Sequence, residues 1–210
     1  MAFPKMRTLQ GHDKPFSYKI LIGASVLLIG IAAPVFADYT PPENTQPPQG
    51  PIVSGGRRCG CENLTDLDLI ALAPHQQMGQ TLSTQPTLAW FVPDETVYSM
   101  QLHIYERDGD GWKDVVEDYD IGLSQYGYMS YTIPASMGLE VGGMYSWRVV
   151  LLCSDRPSSH QIAGAEFEIV SRPAPLDVIE GSRLQQAEQF AAAGLWYDAM
   201  GFLSTDSLTP

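Results

Sequence analysis

From about Leu67 to Val170, apolar side chains recur at every second position. Leu88, Trp90 and Val92 alternate with Ala89 and Phe91, and Tyr98, Met100, Leu102 and Ile104 alternate with Ser99, Gln101, His103 and Tyr105. Met129, Tyr131 and Ile133 alternate with Tyr128, Ser130 and Thr132. Tyr145, Trp147, Val149, Leu151 and Cys153 share one face, and Ala163, Ala165, Phe167 and Ile169 lie opposite Glu166 and Glu168. Successive side chains of an extended chain point to opposite faces, so each run predicts a strand with one face buried. Turn formers separate the runs: Pro93-Asp94, Asp108-Gly109-Asp110-Gly111, Pro134, Gly142-Gly143 and Asp155-Arg156-Pro157.

About seven short strands with turns between them predict an antiparallel β-sandwich of the immunoglobulin or fibronectin III kind. Its span is residues 61–172. The stretch Leu139 to Val149 fits, because a turn, a tyrosine and an alternating strand form the entry to the penultimate strand of such domains. A corner tyrosine there, Tyr145, bonds back to the preceding backbone. Tyr145 and Trp147 are then core residues.

Pro173 and Pro175 end the sheet pattern, and the period changes. Ser182-Arg183-Leu184-Gln185 is a capping-box pattern, and Leu184, Ala187, Phe190 and Ala191 share a helical face. Gly194 stops that helix. Trp196, Ala199, Met200 and Leu203 then give a second helix one apolar stripe. Residues 173–210 are thus expected to form a C-terminal helical hairpin. The join Gly194 to Met200 is similar to that of a tetratricopeptide repeat, but a solenoid needs roughly three repeats and only one hairpin is present. Trp196 and Tyr197 are expected to clamp the hairpin to the sandwich. The other reading makes them a partner-binding surface.

Ahead of the strands, Lys5, Arg7, Lys14 and Lys19 precede an apolar run from Ile20 to Phe36, and Val35-Phe36-Ala37 resembles a signal-peptidase site. Residues 1–37 therefore read as a signal peptide, cleaved before Asp38, leaving no stable membrane span. Residues 38–60 carry five prolines and no hydrophobic period, so they read as an extended tether.

The formal charge of −12 excludes nucleic acid as a partner, because phosphate binding relies on lysine and arginine. Export to an oxidising space makes one disulfide the expectation for the three cysteines, Cys59, Cys61 and Cys153. Cys59 and Cys61 are too close to bridge each other, so one of them pairs with Cys153. A closed loop of roughly ninety residues contributes on the order of 4 kcal/mol on the chain-entropy model.

Candidate chemistry is sparse. Asp108, Asp110 and Asp114 suggest a weak calcium site, but the EF-hand spacing fails and an Asp-Gly hairpin turn explains the same residues. No Gly-x-Ser-x-Gly elbow, His-Glu-x-x-His or phosphate loop occurs. His103 falls on a polar strand face, and His75 and His160 fall in loops. No cofactor is expected.

Several landmarks follow one another in order: Gly55 to Cys61, Ile70-Ala71-Leu72-Ala73-Pro74, Gln85 to Pro93, Gly142 to Trp147 leading to Cys153, and Gly194-Leu195-Trp196-Tyr197-Asp198-Ala199. Together they resemble the DUF928 family of uncharacterised exported proteins, found mainly in cyanobacteria. The resemblance implies no activity, ligand or catalytic residue. It implies an Arg-x-x-Cys, which Arg58 and Cys61 fit, and a bridge from Cys61 to Cys153, with Cys59 a departure and the alternative partner.

The resulting expectation is a non-enzymatic interaction or structural module of the cell envelope, periplasmic or extracellular, with an unknown protein partner. The alternative is a glycan- or small-ligand-binding sandwich using Trp112 or Tyr126. A third reading, an envelope hydrolase, needs a pocket holding His103 or His160 beside carboxylates.

Overall fold

The alternating runs form strands. The computed structural model describes residues 39–42, 47–48, 68–153, 160–171 and 180–204. The expected signal peptide, most of the tether, Cys59, Cys61 and the Asp155-Arg156-Pro157 turn lie outside these residues. The described strands are β1 (Ile70–Ala71), β2 (Gly79–Thr81), β3 (Thr87–Val92), β4 (Ser99–Asp108), β5 (Gly111–Leu123), β6 (Gly127–Thr132), β7 (Met144–Leu152) and β8 (Gln161–Ile169). Two helices follow, α1 (Arg183–Ala192) and α2 (Trp196–Leu203). The protein is mainly β, with two sheets and two short helices near the C-terminus.

One sheet has the order β1-β3-β6 and the other β2-β8-β7-β4-β5. Their facing sides carry the residues that the period of two selects: Leu88, Trp90 and Val92 from β3, Met100, Leu102 and Ile104 from β4, Met129 and Tyr131 from β6, and Tyr145, Trp147, Val149 and Leu151 from β7. Full burial of each large apolar side chain contributes about 1.5–3 kcal/mol, so this shared core is the main source of stability. Neighbouring strands are antiparallel except β2 and β8, which run parallel with Gly79 beside Phe167 and Thr81 beside Ile169. This corrects the all-antiparallel expectation. The two strands are separated by most of the domain, so no tight turn dictates their direction.

Glu166 also departs from expectation. It is buried, although it sits on the face opposite Phe167. Its strand, β8, is flanked by neighbours on both sides.

The β4–β5 hairpin turns at Gly109-Asp110, with Asp108 paired to Gly111. Gly109 has φ 58° and Asp110 no positive φ, the pattern of a type II′ turn with glycine first. β4 spans 10 residues and β5 spans 13, and the surplus is absorbed by three register shifts. Asp118, at φ 51°, sits at one of them. Each shift inserts an extra residue, twists the strand and interrupts the edge.

Tyr145 behaves as a corner residue. Its hydroxyl accepts the Glu140 N–H at 2.9 Å and donates to Glu106 Oε1 at 3.5 Å. Burial raises its pKa first of all, and the carboxylates of Glu106 and Glu140 add to this.

α1 begins with the expected capping box. Ser182 accepts from the Gln185 N–H, and the Gln185 side chain returns to the Ser182 N–H. It ends in a Schellman motif: the Leu195 N–H donates to Phe190 O and the Gly194 N–H to Ala191 O, with Gly194 at φ 79°. Helices of this length are marginal alone in water, so their packing on the strands sustains them. Among the described residues, no helix is long and apolar enough to cross a membrane.

Candidate functional site

The Leu195-to-Ala199 segment sets the geometry of the site. α2 lies against β2 and β3. Tyr197 enters the core with 1% of its surface exposed. Its hydroxyl accepts from Trp147 Nε1–H at 3.0 Å and donates to the Glu166 carbonyl at 3.4 Å, while its ring packs on Phe167 at 5.2 Å. Burial pushes the Tyr197 phenol well above its ordinary pKa. Trp196 is half-buried and donates Nε1–H to the Leu72 carbonyl at 2.9 Å. The expected clamp is therefore present, and Tyr197 is removed from any partner-binding surface.

The stripe differs from the one the helical period predicts. Tyr197, Ala199 and Met200 are buried, whereas Leu203 is 47% exposed. Leu184 of α1 is also exposed. α2 is wedged between the strands on one side and α1 on the other, so its buried surface is not a single stripe.

Tyr39–Pro42 also belongs to this region. The Tyr39 ring meets Trp196 edge-on at 5.1 Å, and the Thr40 N–H donates to Ala191 O at 3.2 Å. A Cβ on Gly194 would approach Pro42 Cδ to 2.8 Å. These residues dock on the hairpin. The corner between helix and proline needs a residue without a side chain, and that is the physical reason for glycine there.

A depression of about 450 Å³ opens where α2 meets the segment between β2 and β3, lined by Ser83, Gln85, Thr87, Arg183, Asp198 and Phe202 among others. Its charged groups are already engaged. Arg183 donates from Nε to Phe202 O and from Nη2 to Ser204 O, each at 3.1 Å, satisfying the carbonyls at the end of α2. Asp198 Oδ2 accepts the Leu82 N–H at 2.9 Å and bonds the Thr81 hydroxyl. Burial raises the Asp198 pKa above the usual carboxylate value, and these hydrogen bonds oppose the rise without cancelling it.

This sign sets a pH dependence. A raised folded-state pKa means that the native protein holds the proton more tightly than the unfolded chain. The associated stability is full below about pH 4 and is lost as pH rises through the folded-state value. Asp198→Asn keeps an acceptor for the Leu82 N–H and removes the titration. Urea unfolding of the two proteins across pH 3–7 is expected to show the wild type losing stability relative to the variant as pH rises. Parallel profiles would show that Asp198 does not titrate in this way.

The remaining candidates lie apart. Trp112 is half-buried in β5 with the Arg107 guanidinium 5.4 Å from its ring, so that cation covers one aromatic face. Tyr126 is 62% exposed and meets Phe91 edge-on at 6.0 Å. In register across the outer face of the three-stranded sheet run Ile70, Phe91 and Tyr128. With Tyr126 they form an uncharged, largely aromatic row.

Asp108 and Asp110 flank or occupy the hairpin turn, and Asp114 pairs with Tyr105. Among the described residues no three metal-capable side chains converge. His103 lies 3.5 Å from Asp118 on the five-stranded sheet beside Tyr105, away from the depression. His160 precedes β8, and Cys153, just past β7, packs half-buried against the core. The pairing of Cys153 with Cys61 or Cys59 falls outside the described residues.

Arg183 and Asp198 are the site residues that sequence reasoning missed. Asp198 sits in the first turn of α2, where an acid reads as a helix-dipole partner. Its bond to Leu82 spans 116 positions and leaves no local signal.

The two sheets and the buried Tyr197 anchor together define a mainly β domain plugged by its own C-terminal hairpin. Residues 53–207 match the family model described as DUF928, a domain of unknown function. The chain belongs to the DUF928 family. No curated protein matches it. Among solved structures it is similar to the twitchin kinase region from C. elegans, at 14% identity and a TM-score of 0.26, over 47% of this chain and 18% of that one. The chain thus spans less than a fifth of that structure.

Proposed function

We propose that this protein is an exported, non-enzymatic interaction module of the cell envelope, periplasmic or extracellular, built on an immunoglobulin or fibronectin III-like sandwich. The row Ile70, Phe91, Tyr128 and Tyr126, with Phe91 half-buried and the other three exposed, carries the reading, because apolar and aromatic side chains clustered on a sheet face are an interface signature. The tyrosine corner and the split of β1, β3 and β6 from β4, β7 and β8 support the sandwich assignment. Cleavage before Asp38 and a bridge from Cys61 to Cys153, with Cys59 as the alternative, complete the proposal.

Affinity capture from the envelope fraction of the source cells tests it. A defined partner is expected with the wild type, with recovery reduced at least about tenfold by Phe91→Ala combined with Tyr126→Ala, a loss of roughly 1.4 kcal/mol. Recovery of free monomer alone would remove the reading.

A glycan-binding role is the second reading, favoured by the exposure of Tyr126, whose ring and hydroxyl suit a sugar face. A glycan array decides between them: carbohydrate signals abolished by Tyr126→Ala would replace the first reading with this one.

A further inference from the structure

The depression between α2 and the segment joining β2 to β3 shares no residue with the aromatic row. A ligand there is therefore independent of the partner proposed for that row. At about 450 Å³ the depression falls within the roughly 300–1,000 Å³ of small-molecule sites.

Two features of its lining are more than the fold requires. The first is Gly201, inside α2. Glycine weakens a helix interior relative to alanine, because it loses more backbone freedom on folding. Gly201 has no positive φ to excuse it. A Cβ there would come no nearer than 3.4 Å to Thr87 Oγ1, an ordinary contact. The missing side chain instead leaves the floor of the depression open.

The second is Arg183, on the exposed rim. Its Nε and Nη2 hold the carbonyls of Phe202 and Ser204, which fixes the plane of the guanidinium. Among the described residues nothing bonds Nη1, so the edge formed by Nη1 and Nη2 keeps unused N–H donors. Such an edge matches a carboxylate as a bidentate fork. The side chain is already ordered by the helix end, so it loses little further freedom on binding.

The remaining lining defines the body of the ligand. Phe202, held by stacking on Phe190 at 5.2 Å, and Pro86 supply apolar surface. Ser83 and Gln85 supply a hydroxyl and an amide that both donate and accept. A ring with an apolar face and hydroxyls around its edge suits this mixture. Asp198 lines the same depression, and its charge disfavours a ligand with two acid groups. We propose that the depression binds a sugar acid with a single carboxylate, held on the Nη1–Nη2 edge of Arg183 with its ring over Gly201 and against Phe202.

Titration of D-glucuronate into the isotope-labelled protein, followed by NMR, tests this. Saturable shifts at the Thr87, Gly201 and Arg183 amides are expected, at about millimolar ligand for a site this open. D-glucose should bind at least about tenfold more weakly, because it lacks the carboxylate. Gly201→Leu fills the floor with a good helix former. It should weaken glucuronate binding at least about tenfold without lowering the melting temperature. Arg183→Lys keeps the charge and removes the fork, and should weaken binding about tenfold as well. That variant also loses the tie to the end of α2, so Gly201→Leu decides if it fails to fold. The absence of any saturable shift would overturn the proposal. So would equal binding of glucose, benzoate binding as tightly as glucuronate, or unchanged binding by Gly201→Leu. Shifts confined to Phe91, Tyr126 and Tyr128 would overturn it too, because the sugar would then sit on the aromatic row.

Discussion

Replacing Tyr197 with alanine is expected to lower the unfolding free energy by about 4 kcal/mol, in the range for buried aromatic truncation. Three losses combine. The ring leaves a void against Phe167, the Trp147 indole N–H loses its acceptor inside the core, and the anchor of α2 is gone. Tyr197→Phe separates them, because it keeps the ring and removes only the hydroxyl. Its expected cost is about 1–3 kcal/mol, that of leaving a buried donor unsatisfied. Urea unfolding followed by tryptophan fluorescence reads both. If the alanine variant lost less than the phenylalanine variant, Tyr197 would not be the anchor described.

Gly164→Ala is expected to cost about 2–3 kcal/mol, at the upper end for overpacking. Gly164 pairs with Arg148 across β7 and β8, two inner strands of the five-stranded sheet. A Cβ there would collide with the Trp147 carbonyl oxygen and come within 3.1 Å of Arg148 Cα. Both are backbone atoms, so relief requires the strands to part. Gly111→Ala is the control, since its Cβ would meet only Asp108 O, at an ordinary 3.7 Å, and should change stability by less than about 0.5 kcal/mol. Equal melting temperatures for the two variants would mean that β7 and β8 do not approach as closely as described.

The core strands are legible in the sequence wherever the period of two is unbroken, as from Met100 to Ile104 and from Tyr145 to Leu151. There the inward residues are the expected ones. β5 is not legible, because each bulge shifts the phase by one residue. Val115 and Val116, both partly buried, then stand side by side, and the acidic residues between the bulges read as a surface turn. The parallel pairing of β2 with β8 is hidden for another reason: three residues, Gly79 to Thr81, carry no periodicity that names a distant partner.

The candidate site divides in the same way. Ser182 and Gln185 announce the start of α1, and Gly194 its end, because caps are local chemistry. In sequence the aromatic pair Trp196-Tyr197 fits either a core or a surface role, and Trp147 and Phe167 decide it for Tyr197. Trp112 and Tyr126 look alike in sequence. Only the structure shows one ring covered by Arg107 and the other exposed beside Phe91.

The Tyr197 plug also imposes an order of events during synthesis. All eight described strands are translated before Tyr197, yet Trp147 and Glu166 reach it only through space. A nascent chain that has emerged as far as β8 holds every described strand and still lacks the side chain that fills the space beside Phe167. Closure of the core beside Phe167 therefore waits for the hairpin, the last-made part of the fold to reach it.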